Sequence, residues 1–169
     1  MSSGGPARLT DPEAAVDAVI ERLGGRIRVA LPLGLGKPAR FVDALYRRVR
    51  ASPELSLEIH TALTLEAPRG RSDLEARFLG PLQARLFDGV PAFEYAADLR
   101  AGRLPSNVRV NEFYFRPGAW LGSPGAQQAY VSSNYSLAAR DVALRGVDLI
   151  AQMVAPASAH GAGERFSLS

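Results

Sequence analysis

The chain has 169 residues, 47% of them hydrophobic, a formal net charge of +3 and a pI near 9.7. That length suits one domain able to bury a core without staples, and the lack of cysteine excludes a disulfide framework, a thiol nucleophile and a thiolate metal site. The cations are scattered, not clustered with aromatics as in a nucleic-acid binder, and no apolar run nears the ~18 residues that would span a bilayer.

Met1 to Pro6 lacks the charged-then-apolar pattern of a signal peptide, which reads as a cytoplasmic protein. Residues 1–9 read as a disordered lead. Thr10-Asp11-Pro12-Glu13 then fits a capping box with an early proline. Ala14, Val16, Val19, Ile20 and Leu23 give a helix stripe closed by Gly24-Gly25. Arg26 to Leu31 is β-branched and short, a strand. Phe41, Val42, Leu45, Tyr46 and Val49 recur at helical spacing, and Arg47-Arg48-Val49-Arg50 suits the negative end of that helix. Leu55 to Leu65 is a second strand, so strand, glycine loop, helix and strand make a βαβ unit with a right-handed crossover.

Ser72-Asp73-Leu74-Glu75 is another capping box. It opens a helix through Leu74, Phe78, Leu82 and Leu86, with Pro81 expected to kink it. Ala92 to Ala101, Ser123 to Tyr130 and Leu137 to Leu144 read as helices. Val108 to Phe115 reads as a strand and Val147 to Val154 as a buried strand. Pro156 to Gly163 reads as a loop. The fold class is therefore α/β, an open, mostly parallel sheet flanked by helices, over residues 10–169.

Only one of the 20 cationic side chains is lysine, Lys37. It stands in Gly34-Leu35-Gly36-Lys37-Pro38, a loop at the carboxyl end of the first strand, where open α/β sheets bind ligands. An ammonium is a compact point charge and a guanidinium a planar fork, so the exchange is not neutral in a site. The loop could cradle a phosphate, carboxylate or oxyanion, or be a tight turn alone. It lacks the spacer and Ser/Thr of a Walker A loop. Gly34, Gly36, Lys37, Pro38 and, in the hydroxyl-rich run Tyr130 to Ser136, Asn134 are the candidate binding residues, although Asn134 equally suits a helix cap. Glu58 and His60 share one strand face and could act as a base with its orienter, or be exposed strand-edge polarity. Glu112 interrupts an apolar strand and needs a partner, an arginine or solvent, unless it does chemical work. The two histidines, His60 and His160, show no metal-site spacing.

Leu31 to Leu45 resembles the N-terminal glycine loop and helix of the acetyl-CoA hydrolase/transferase family, in the CoA-transferase group. Ser132 to Asp141 with Val147 to Ala155 is similar to a later helix and strand of the same domain. His160-Gly161 with Ser167-Leu168 faintly resembles the family's His-Gly-x-x-Ser-Leu element, with two extra residues. The resemblance implies two α/β domains with acyl-CoA and a carboxylate or water meeting between them, and no permanently bound cofactor. It also implies a catalytic glutamate that forms a covalent intermediate. That glutamate belongs to the second domain, so none here is assigned the role and no catalytic residue is named. Gly34 and Gly36 carry over as a wall of the acyl site. The chain then reads as the N-terminal fragment of a longer two-domain protein, inactive alone, whose partner is the missing C-terminal domain. Self-association into a homo-oligomer stays open. A stand-alone binding or scaffold α/β domain is the alternative, and an exposed apolar patch separates the two. An isomerase-like domain rests on fold analogy alone.

Overall fold

Local chemistry sets the first helix. The Asp11 carboxylate accepts from the Glu13 amide, Pro12 opens the first turn, and Gly24 leaves it at φ 78°, donating to Ile20 O. In this computed structural model, residues 7–156 with Phe166 and Ser167 are described. The expected loop over 156–163 and the His160-Gly161 element lie largely or wholly outside them.

In chain order the elements are α1 (Pro12–Leu23), β1 (Arg26–Leu33), a 3₁₀ turn (Gly34–Gly36), α2 (Ala39–Ala51), β2 (Ser56–Ala62), α3 (Asp73–Leu86), α4 (Glu94–Arg100), β3 (Val108–Glu112), α5 (Pro124–Gln128), α6 (Tyr135–Leu144), β4 (Leu149–Ile150), β5 (Ala155–Pro156) and β6 (Phe166–Ser167). The four strands β3-β2-β1-β4 form one all-parallel sheet, and β5 pairs antiparallel with β6. The protein is thus an α/β fold with helices flanking a parallel sheet.

One sheet face makes the core. Ile27, Val29 and Leu31 of β1, Leu57 and Ile59 of β2, and Val108 and Val110 of β3 pack with Val16 of α1, Val42, Leu45, Tyr46 and Val49 of α2, and Tyr95 and Leu99 of α4. Each such large side chain contributes about 1.5–3 kcal/mol by leaving water. The alternation along β1 is the period-2 signal of a strand with one buried face. The basic end of α2 is more than a dipole complement. Arg48 reaches Asp17 and Glu13 of α1, while Arg50 reaches Glu94 and Asp98 of α4. Asp43 adds a buried link, accepting from the Glu94 amide that opens α4.

Two expectations change. The second strand stops at Ala62 because Leu63 takes φ 46°, outside strand geometry. The strand expected over Val147 to Val154 shrinks to Leu149–Ile150 at a sheet edge, with Ile150 75% exposed, so it is not buried. It has one neighbour, β1, and apolar content alone did not supply a second. α3 forms as the capping box foretold, with Pro81 inside it. Ser72 Oγ accepts from the Glu75 amide, and the Glu75 carboxylate accepts from Arg71 N–H. Yet none of its residues is buried; Leu74 and Phe78 are 73% and 79% exposed.

Connectivity places the site. The chain steps from β1 through α2 to β2 and on through α3 and α4 to β3. It then reverses through α5 and α6, bringing β4 to the other side of β1. The carboxyl ends of β1 and β4 therefore flank a topological switch point, the usual ligand crevice of such sheets.

Candidate functional site

A cavity of about 880 Å³ opens at this switch point. Leu35, Lys37 and Pro38 of the glycine loop line it, with Arg40 and Phe41 of α2 and Ile150 and Met153 at and after β4. Small-molecule sites run from about 300 to 1,000 Å³ and are mainly apolar with a few polar groups, which matches this wall.

The glycine loop is a single 3₁₀ turn held from two sides. Gly34, at φ 64°, donates its N–H to Leu63 O at 3.2 Å, and Gly36 O accepts from Met153 N–H at 2.8 Å. The positive φ explains a glycine at 34. A Cβ on Gly36 would meet Pro32 Cγ at 3.4 Å. The loop after β1 is thus tied to the loop after β2 and to the segment after β4.

Lys37 is 2% exposed. Its ammonium donates to Ala62 O at 2.7 Å, Leu63 O at 3.2 Å and Gly34 O at 3.5 Å. Its charge therefore turns to backbone carbonyls, where the sequence suggested a ligand anion. Burial pulls its pKa down from 10.5 to about 8, against the attraction of Glu112. Glu112, also 2% exposed, accepts from Thr64 N–H at 2.7 Å and Thr64 Oγ1–H at 3.1 Å. Burial raises its pKa, opposed by those bonds and by Lys37. Neither solvent nor an arginine is its partner. Tyr95 Oη lies 2.9 Å from Thr64 Oγ1 and completes the cluster. Burial pushes the Tyr95 phenol far up, so it stays protonated.

Pro38 occupies the cap position of α2 and lines the cavity. Asn134 caps α6, its Oδ1 accepting from Leu137 N–H at 3.1 Å, and does not line the cavity. Thr64 and Tyr95 were not singled out from the sequence. Thr64 is 48 residues from Glu112, and no local spacing announces that pairing.

Glu58 and His60 do share a face, on the opposite side of β2 from the core. Asn111 donates to Glu58 Oε1 at 2.8 Å, which lies 3.5 Å from His60 Nε2. His60 is not exposed edge polarity: it is 1% exposed, and neither ring nitrogen has hydrogen-bond geometry to a partner among the described residues. Burial lowers its pKa, with Glu58 opposing and Arg145, Arg109 and Arg28 reinforcing, so the ring is neutral near pH 7. The pair lines no part of the cavity. Among the described residues, no group of three or more histidine or acidic side chains could hold a metal ion, and no helix is long and apolar enough to cross a membrane.

Comparison with protein families, curated proteins and solved structures finds no match.

Proposed function

We propose that this chain forms one wall of an acyl-CoA site, as the N-terminal domain of an acetyl-CoA hydrolase or CoA-transferase would. The observation that carries the reading is the cavity at the β1/β4 switch point, walled by the glycine loop on which the family resemblance rests. Its apolar lining suits an acyl or pantetheine chain, and Arg40 on its rim suits a phosphate. The glutamate nucleophile lies on a second domain in this reading, because Glu112 is buried and engaged by Thr64. The exposed stripe of α3 favours a chain that works against a second body over a stand-alone scaffold. A cytoplasmic location belongs to the same reading.

Calorimetric titration with CoA and acetyl-CoA, run beside a thiol-release assay, tests it. The expected result is saturable binding of both with no thioester turnover by the chain alone. Absence of binding at millimolar ligand, or sustained hydrolysis by a pure sample, would overturn it.

A further inference from the structure

We infer that Lys37 is a positioning residue, a buried clasp that holds the loop after β1 against the loop after β2 and so fixes the wall of the cavity. Only the ligand-binding consequence rests on the function proposed above; the clasp itself is a matter of geometry.

Three observations converge. The ammonium meets carbonyls from both loops: Gly34 on one side, Ala62 and Leu63 on the other. The same loops share a backbone bond, Gly34 N–H to Leu63 O. Leu63 sits at φ 46°, a conformation non-glycine residues rarely hold unless the surroundings impose it. Leu63 N–H is fixed in turn by Tyr114 O at 2.8 Å. Its backbone is thus gripped from the loop after β1 and from the segment after β3.

The clasp explains why one lysine survives in a chain of arginines. An ammonium directs three hydrogens from one atom and fits inside a convergent ring of carbonyls. A guanidinium spreads five over a rigid plane and is larger. Carbonyls at strand ends carry partial negative charge, and Glu112 on β3 is the charged group that faces the ammonium. Glu112 is pinned by Thr64, the residue after Leu63, and Thr64 in turn meets the neutral Tyr95 hydroxyl of α4. Lys37 and Glu112 thus act on consecutive residues of one loop. A buried cation without a counter-charge would be costly, and here the two supply each other.

Amide exchange on the whole chain tests this, in wild type, Lys37→Met, Lys37→Arg and the double variant Lys37→Met/Glu112→Gln. In Lys37→Met, protection at residues 34–37 and 62–65 should fall about tenfold or more, the equivalent of a lost charge-assisted hydrogen bond. The core amides of α1 should change far less. The double variant removes both buried charges, so it should regain part of the lost thermal stability while the loops stay unprotected. A lysine that served only to neutralise Glu112 would give the opposite, with loop protection returning alongside stability. Unchanged loop protection in Lys37→Met would also overturn the clasp. Should Lys37→Met not fold, Lys37→Arg decides: the larger planar guanidinium does not fit the ring of Gly34, Ala62 and Leu63 carbonyls, so loop protection should fall, and protection equal to wild type would overturn the clasp. CoA titration of Lys37→Met separates the two readings. Weaker binding with loosened loops supports both. Wild-type chain that binds no CoA sinks the proposed function and leaves the exchange result standing.

Discussion

Two helices of nearly equal length, α2 and α3, have the same sequence logic and opposite fates. Both carry apolar residues at helical spacing, although only α3 begins at a side-chain cap. The 13 residues of α2 include seven that are buried; the 14 of α3 include none. Helix formation and helix packing are separate events. Spacing creates a stripe, whereas a stripe contributes to stability only where another surface covers it. The sheet and α1 cover α2, whereas Leu74 and Phe78 of α3 stay mostly exposed and Leu82 and Leu86 are only partly covered among the described residues.

The largest expected effect breaks the symmetry directly. Leu45→Ala removes a side chain that is 1% exposed and lies in the main core. It should cost about 2–5 kcal/mol by chemical denaturation. Equal losses from Leu45→Ala and Phe78→Ala would mean that α3 is packed after all.

Next in size is the link between α2 and α4. Burial raises the Asp43 pKa from 3.8 to about 6, although the Glu94 amide donates to its carboxylate and Arg47 lies near. A carboxyl whose pKa rises on folding stabilises most below its unfolded value. That contribution is lost as pH rises through about 6. Asn at 43 could still accept from the Glu94 amide without carrying a charge. Asp43→Asn should therefore match wild type near pH 4 and exceed it by about 1 kcal/mol at pH 7. A pH-independent difference would show that Asp43 is better solvated than its 5% exposure implies.

The parts legible from sequence are those whose determinants are local. The cap of α3, the glycine turn and the period-2 run of β1 each lie within a few residues and formed near their expected places, whereas α1 is capped by Asp11 and not by Thr10 of the expected box. Lys37 drew attention as the single lysine, but its partners did not. Ala62 and Leu63 lie 25 and 26 residues away, and they are bound through backbone carbonyls, which carry no sequence signature. Glu112 showed only that it needed a partner. Which partner depended on β2 and β3 being neighbours in register, Thr61 beside Glu112, with Thr64 curling back over the strand end. The exposed-edge reading of His60 fails for the same reason, since burial on the second sheet face depends on what lies across the sheet. The segment Val147 to Val154 has the composition of a central strand. Its edge position is a property of topology alone.

The smallest expected change in stability is the most informative about what α3 is for. Phe78→Ser replaces a ring that is 79% exposed, so folding free energy should move by no more than about 0.5 kcal/mol. Two other quantities should move more. A dye that fluoresces on apolar surfaces should bind the variant less, because the centre of the Leu74–Leu86 stripe is gone. The variant should also stay monodisperse at concentrations where wild type begins to associate, as read by light scattering. The Ser72 cap and its Glu75 partner are untouched, so helix content should hold, and circular dichroism checks that. If Phe78→Ser instead unfolds α3 or lowers the melting temperature as Leu45→Ala does, the stripe is already buried in the folded protein. The exposed surface that favours a second body would then not exist. If stability holds while dye binding and association fall, α3 is a finished helix awaiting a partner, and the contrast with α2 stands.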